Sequence, residues 1–257
     1  ALYEITPLMG IKKLLGGNCE VSYAPGYVTP EEKQASEVNW QADSTKHLEE
    51  QKQPVQAHEL TEAQKRQAEE QKKRSYREQA IALAQSSDVV IFVGGLNHDY
   101  DCEGKDRADM RLPYGQDELL EALLQVRPDT VIALVGGSPV EMPWLERAQG
   151  VVWSYYNGME GGTALAEVLF GIVNPSGKLA ETFPKTADDC PAHTIGDFGL
   201  KERVEYREKC LVGYRYYDAV CCPVNFCFGH GLSYTEFVYE GLKLKRTETA
   251  DGGEWEL

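Results

Sequence analysis

Two continuous apolar runs, each followed by a pair of glycines, constrain the fold of this chain more than any other feature. The runs cover residues 89–93 and 130–135, and the glycine pairs follow at 94–95 and 136–137. A strand that is apolar on both faces is buried on both sides, which is typical of a parallel sheet covered by helices. The sequence therefore predicts buried parallel strands at these two places. The glycine pairs are interpreted as tight turns that end the strands.

Segments with helical spacing separate the predicted strands. Leu119, Leu120 and Leu123 recur at the interval expected of one helix face. The predicted elements are a helix over 116–126, a short helix over 142–147, a strand over 151–155 and a helix over 161–170 closed by Gly171. Strands that alternate with helices through short connections indicate an α/β fold, with an open, mainly parallel sheet sandwiched by helices. In such a sheet, ligands bind at the loops that follow the carboxyl ends of the strands.

Residues 29–79 form a charged insertion that differs in composition from the rest. They are rich in Glu, Gln, Lys and Ala and poor in large aliphatic residues. Thr61 and Gln64 have the spacing of a capping box, and strong helix formers follow as far as Gln85. We expect a long helix whose first half projects into solvent and whose second half packs on the sheet. The insertion is either a solvated spacer or an arm that binds a partner.

The remaining boundaries follow from the change in pattern near each end. Residues 1–28 begin the α/β sandwich, and residues 80–225 complete it. The tail is aromatic and rich in glycine, and residues 237–244 alternate like a strand. Residues 226–257 are therefore predicted to form the connection to a C-terminal β-domain and its first strand.

Charge and hydropathy exclude two classes of partner. The net charge is −15, so an anionic nucleic acid or membrane surface would be repelled. No apolar run reaches the length of a membrane span. The first residues lack the pattern of a signal peptide, and they lack an initiator methionine, so residue 1 need not be the natural start.

The seven cysteines indicate a reduced, cytoplasmic protein, because their number is odd and they are scattered. Cys221, Cys222, Cys227 and His230 form a cluster that could be imagined as a zinc site. The vicinal cysteines lack the CxxC spacing of a tetrahedral site. Buried small hydrophobic residues are the better interpretation, and no metal is predicted.

The loop over residues 97–107 concentrates acidic residues where a sheet of this kind binds ligands. Counting Asp109, the loop region holds five carboxylates. Composition alone would favour a solvated acidic loop with no chemical role. A resemblance to known sequences changes that interpretation.

A series of short motifs occurs in one order along most of the chain. The motifs are Thr6-Pro7-Leu8, Glu-Gly-x-Asp-Arg at 103–107 with Leu112-Pro113 and Gln116, Val-Gly-Gly-Ser-Pro-Val-Glu-Met-Pro-Trp at 135–144, Tyr-Tyr-Asn-Gly-Met-Glu-Gly-Gly at 155–162, Asn-Pro-Ser-Gly-Lys-Leu at 174–179, Gly-Tyr-Arg-Tyr-Tyr-Asp at 213–218 and Phe-Gly-His-Gly-Leu-Ser-Tyr at 228–234. Each motif is weak alone. Together they resemble the C-terminal α/β sandwich domain of glycoside hydrolase family 3 β-glucosidases.

The resemblance implies a retaining glycosidase that removes terminal β-D-glucosyl units. Such enzymes use two carboxyl groups about 5 Å apart and no cofactor. In this family the nucleophile is an aspartate on a separate (β/α)8 barrel, and the sandwich domain supplies the acid/base. Glu103 occupies the acid/base position of the motif. The implied substrates are β-glucosides or short β-linked oligosaccharides.

Four further residues of the loop are candidates for substrate binding. His98 and Tyr100 could line the sugar site, although packing or exposure to solvent is an equal alternative. Asp106 and Arg107 match the motif, and we predict that they form an ion pair that holds the loop. Direct contact with the sugar is the alternative for this pair.

The chain also departs from the family pattern. The barrel with its nucleophile is missing, as is the first strand of the sandwich, and the fibronectin-like C-terminal domain is only begun. We therefore expect one piece of a longer enzyme that is inactive alone and binds the missing barrel. The oligomeric state stays open, a homo-oligomer included.

Two other functions compete with the β-glucosidase interpretation. A non-catalytic carbohydrate-binding or scaffolding module would keep the fold without using Glu103. A β-xylosidase or another exo-glycosidase would keep the chemistry with a different sugar. A serine hydrolase is disfavoured, because Gly137-Ser138-Pro139 is not a nucleophile elbow.

Overall fold

A parallel three-stranded sheet forms the centre of the fold in a computed structural model that describes residues 3–29, 61–104, 106–196, 203–249 and 252–256. The strands are β1 (Ile91–Gly95), β2 (Val131–Val135) and β3 (Gly150–Trp153), in the order β1-β2-β3. Ile132, Ala133 and Leu134 of β2 are all fully buried. Because successive side chains point to opposite faces, β2 is covered on both sides. The predicted α/β fold class is confirmed.

The described part of the chain contains six α-helices. They are α1 (Pro7–Leu15), α2 (Glu62–Ser86), α3 (Gln116–Val126), α4 (Gly161–Leu169), α5 (Pro191–Thr194) and α6 (Tyr214–Val220). Two antiparallel strand pairs complete the described fold, formed by β4 (Phe183–Pro184) with β5 (Val224–Phe226) and by β6 (Lys245–Thr249) with β7 (Gly252–Glu256). None of the described helices is both long and apolar enough to cross a membrane.

The long charged helix α2 begins at the predicted capping box. The Thr61 side chain accepts a hydrogen bond from the Gln64 amide, and the Gln64 side chain accepts one from the Thr61 amide at 2.9 Å. The first turns of α2 are exposed, whereas Ala84 near its end is buried in the core and Ala80 packs against it. The predicted exposure of the first half of this helix is therefore confirmed, and its second half packs mainly against α3. Residues 30–60 of the predicted insertion lie outside the described residues, and the domain boundaries stay a prediction.

Two predicted elements are wrong. Residues 142–147 form no α-helix, and only the last three make a 3-10 helix, Leu145–Arg147. Pro143 has no N–H group to donate to an α-helical hydrogen bond. Residues 237–244 form no strand and are exposed, with Tyr239 at 94%. An alternating pattern specifies a strand only where its apolar side meets a partner, and the described part of the chain offers none at this place.

The first glycine pair ends β1 but does not form the predicted tight turn. Gly94 and Gly95 lie inside the strand, and a Cβ on Gly95 would come within 1.8 Å of the Val135 oxygen. The side chain of Gln116, buried at the start of α3, donates to the Gly95 oxygen at 2.9 Å and accepts from the Gly95 amide at 2.7 Å. Gln116 thus pairs the backbone of Gly95 as a neighbouring strand would. It fixes the point from which the next loop departs.

Helices α1 and α4 contact each other backbone to backbone. A Cβ on Gly10 would lie 2.0 Å from the Gly162 oxygen, and one on Gly162 would lie 2.2 Å from the Thr6 oxygen. The Gly162 amide donates to the Ile5 oxygen at 3.0 Å. No side chain fits between these helices, so their approach depends on glycine at both positions.

We expect Gly10→Ala to destabilise the chain, although alanine is the better helix former by about 1 kcal/mol. The new methyl group meets a carbonyl oxygen that cannot rotate away, so the two helices must separate, at a cost of about 2 kcal/mol. Urea denaturation would measure the change in the free energy of unfolding. Gly17→Ala is the matched control, because nothing lies within 4 Å of its Cβ position. Equal stability of the two variants would contradict the close contact.

We expect Gln116→Ala to lower the free energy of unfolding by about 3 kcal/mol, because it leaves two buried backbone groups of Gly95 without partners. Gln125→Ala, at an exposed position of the same helix, should change stability by less than about 0.5 kcal/mol. Chemical denaturation of both variants is the measurement. A cost at Gln116 no larger than at Gln125 would show that the amide contributes no net stability.

Candidate active site

The loops that leave the carboxyl ends of the three parallel strands are joined by one carboxylate. Asp101, in the loop after β1, accepts a hydrogen bond from the Gly137 amide after β2 at 2.8 Å. The same oxygen accepts one from the Tyr156 hydroxyl after β3 at 3.0 Å. Burial and the bond to Asp101 raise the pKa of Tyr156 to about 12, so this phenol remains a donor at neutral pH. These bonds connect the three loops at one edge of the sheet, and we call the connected loops around Asp101, Gly137 and Tyr156 the rim.

Asn97 organises the first of these loops. Its backbone oxygen accepts from the amides of Tyr100 and Asp101 at 3.0 and 2.8 Å, and its side-chain oxygen accepts from the Asp99 amide at 3.1 Å. These bonds wind the chain into a compact turn directly after β1. Asn and Asp are frequent in turns because their side chains can bond to the nearby backbone in this way.

A second contact holds this turn from the side of α3. Tyr114 lies in the 3-10 helix Pro113–Gly115 with a left-handed backbone, at φ 63°. Its hydroxyl accepts from the Asn97 side-chain amide at 2.9 Å and donates to the Asp99 carboxylate at 3.1 Å. The left-handed region costs a residue with a side chain about 1 kcal/mol. The contacts of Tyr114 offset this cost.

Glu103 lies two residues beyond Asp101 and is exposed. Among the described residues, its carboxylate has no hydrogen-bond or ion-pair partner. The rim therefore fixes the backbone on one side of Glu103 and leaves the carboxyl group open to an external ligand. Lys105, the second residue after it, lies outside the described residues.

The other predicted site residues divide into exposed and packed positions. His98 and Asp106 are exposed. Tyr100 is 39% exposed, and the edge of its ring packs on Tyr114 with centroids 5.3 Å apart. Arg107 is partly buried and donates to the Pro139 oxygen at 2.7 Å. The predicted ion pair between Asp106 and Arg107 is not formed among the described residues; the guanidinium bonds to the Pro139 carbonyl.

An open, mainly apolar pocket of about 230 Å³ adjoins Arg107. Its walls include Glu181, Thr182 and Tyr217. The Arg107 Nη1 and Thr182 Oγ1 atoms are buried without a partner among the described residues. Burial raises the pKa of Glu181, Arg107 opposes this effect, and the negative charge of Asp101 adds to it. Glu181 thus lies close enough to Arg107 and Asp101 for their charges to affect its pKa.

Sequence reasoning missed several residues that shape this site. They are Asp101 as the link between loops, Tyr114, Gln116 as the support of Gly95, Tyr156 and Glu181. Only Gln116 carried a local signal, since it is a polar residue on the apolar face of a predicted helix.

The described residues contain no group of three or more His, Cys, Asp or Glu side chains arranged to hold a metal ion. All seven cysteines lie in the described part of the chain as free thiols, and Cys221 and Cys227 are exposed, so their interpretation as buried hydrophobic residues is wrong. The chemistry that these loops offer is that of carboxyl groups, and Glu103 and Asp106 are exposed and without a hydrogen-bond or ion-pair partner in the described part of the chain.

Comparison with known proteins finds relatives that are named β-glucosidases. The chain is 50% identical over 170 residues to Beta-glucosidase BoGH3A of Bacteroides ovatus, a match that covers 64% of this chain and 23% of that protein. It is 46% identical over 173 residues to Thermostable beta-glucosidase B of Acetivibrio thermocellus, covering 67% of this chain and 23% of that protein. The chain thus corresponds to less than a quarter of the length of these relatives.

Solved structures support the same placement. A β-glucosidase from Kluyveromyces marxianus in complex with glucose is 40% identical, with a TM-score of 0.63 over 69% of this chain and 21% of that one. The GH3 β-glucosidase of Bifidobacterium adolescentis is 30% identical, with a TM-score of 0.71 over 96% of this chain and 30% of that one. Residues 1–234 match the model of the Glycosyl hydrolase family 3 C-terminal domain. With its parallel sheet and connected rim of loops, this chain belongs to that family.

Proposed function

We propose that this chain supplies Glu103 as the general acid/base of a retaining, exo-acting β-glucosidase. The observation that carries the proposal is that the carboxyl group at the acid/base position of the motif is exposed, has no partner among the described residues, and follows a turn held at the carboxyl edge of a parallel sheet. Ligands of such sheets bind at this edge. The β-glucosidase names of the relatives support glucose as the sugar, in β-glucosides or short β-linked oligosaccharides.

In this proposal Glu103 acts twice. Its protonated carboxyl group donates to the glycosidic oxygen while the bond from C1 to that oxygen breaks and a nucleophilic carboxylate bonds to C1. The resulting Glu103 carboxylate then takes a proton from water as the water attacks C1 and displaces the nucleophile. Two displacements at C1 return glucose with retained configuration, and Glu103 ends in its starting form.

The nucleophile belongs to a part of the enzyme outside this chain, which we propose to be a (β/α)8 barrel that packs against the rim. The small share of the relatives' length that this chain covers supports such a partner. Two carboxyl groups about 5 Å apart are needed for retention. The barrel must therefore bring its carboxylate to within that distance of Glu103.

We expect Glu103→Ala in the full-length enzyme to lower turnover of unactivated β-glucosides about a thousandfold. On an activated aryl β-glucoside, azide should restore turnover and give a β-glucosyl azide, since the small anion replaces the water that Glu103 activates. Glu146→Ala, at another exposed glutamate, should behave as the unaltered enzyme. Unchanged rates in Glu103→Ala would overturn the proposal and favour a scaffolding domain.

We expect the isolated chain to show no hydrolysis of aryl β-glucosides or aryl β-xylosides, because one carboxyl group cannot carry out both displacements. The same panel applied to the full-length enzyme should show preference for the glucoside. Hydrolysis by the isolated chain that Glu103→Ala abolishes would place the nucleophile within these 257 residues. A preference for the xyloside would correct the sugar without changing the role of Glu103.

A further inference from the structure

Tyr114 connects the turn that precedes Glu103 to the body of the domain. It is one of four described residues other than glycine with a positive φ, and it comes directly before the glycine that leads into α3. Residues other than glycine rarely adopt this backbone conformation unless surrounding contacts require it. The position of the Tyr114 side chain is therefore determined by what it touches.

Its ring is held between two other tyrosines. Tyr27 stacks on it with ring planes 4° apart and centroids 6.3 Å apart, and Tyr100 meets it edge-on at 5.3 Å. Tyr27 itself packs against the core, and burial raises its pKa to about 12. One neighbour of Tyr114 thus belongs to the interior and the other to the turn after β1. Aromatic pairs of this geometry restrict the orientation of both rings.

The Tyr114 hydroxyl bonds to the same turn at two points. It accepts from the Asn97 side chain and donates to the Asp99 carboxylate. Asn97 in turn holds the amides of residues 99–101, and Asp101 is bonded to the two neighbouring loops. Glu103 follows two residues later. A continuous series of contacts therefore runs from the core through Tyr114 to the backbone that carries Glu103.

We propose that Tyr114 is a positioning residue for Glu103, acting through Asn97 and Asp99. The proposal rests on the role of Glu103 given above. Proton transfer needs the donor within hydrogen-bond reach of the glycosidic oxygen, and small displacements of a reacting group reduce the rate strongly. The Tyr114 hydroxyl limits how far the turn moves, and with it the carboxyl group.

The test is Tyr114→Phe in the full-length enzyme, which keeps the ring contacts and removes the two hydrogen bonds. We expect kcat/KM for β-glucosides with poor leaving groups to fall about tenfold. With a 2,4-dinitrophenyl β-glucoside, whose leaving group needs no protonation, kcat/KM should stay within about twofold. A general loss of folded enzyme would lower both values by the same factor.

Tyr27→Phe is the matched control, because Tyr27 stacks on the same ring but its hydroxyl makes no hydrogen bond to the turn in the described structure. It should leave both values unchanged. Asp99→Ala, which removes the acceptor on the turn, should repeat the selective loss and serves if Tyr114→Phe folds poorly. Added to Glu103→Ala, Tyr114→Phe should cause no further loss.

Three results would overturn the proposal. Equal losses for both leaving groups would make Tyr114 structural only. Additive losses in the double variant would mean that it acts independently of Glu103. Full activity of Tyr114→Phe and Asp99→Ala, beside a selective loss in Glu103→Ala, would reject the positioning role alone. A Glu103→Ala variant without selective loss would instead reject the proposed acid/base.

Discussion

Parallel pairing of β2 with a strand on each side determines the position of everything else in this domain. Because all three strands run the same way, the loops that follow them leave from one edge of the sheet. Asp101, Gly137 and Tyr156 are far apart in the chain, yet a single carboxylate joins them. An antiparallel arrangement would send alternate loops to opposite edges, and no side chain could span that distance. The arrangement of the loops that form the site is thus a result of strand direction.

Close backbone contacts then make this edge rigid. Gly94 and Gly95 leave room for the Gln116 amide and for the carbonyl of the neighbouring strand, so β1 is fixed at the point where the loop begins. The turn that begins at Asn97 is separated from the end of β1 by one residue, Leu96. Tyr114 supports this turn from the other side. Glu103 is exposed, but the turn that precedes it is held at its start by β1 and from the side by Tyr114.

The sequence was sufficient where local patterns are strong. The bounds of α3 and the capping box of α2 follow from apolar spacing and from two polar residues three positions apart. The sheet followed from apolar runs, and Glu103 from motif resemblance, since composition alone favoured a solvated loop. The bonds of Asp101 and Tyr114 join residues distant in the chain and have no local signature, and the polar Gln116 on an apolar helix face did not reveal which backbone groups it pairs with. The strand predicted over 237–244 failed for a related reason, because alternation carries no information about whether a partner is present.

The position of Gly137 has a consequence for redesigning this domain. A Cβ there would lie 2.7 Å from the Asp101 carboxylate and 3.0 Å from the Tyr156 ring. A larger residue at 137 therefore displaces both neighbours, and a longer side chain at 101 or 156 meets the same narrow gap. A single loop transferred from a homologue would supply only one of the three residues that form this gap, and that residue would then face two neighbours to which it is not matched. Libraries that exchange segments of this domain should treat the three loops as one inherited unit and place their crossover points inside the strands.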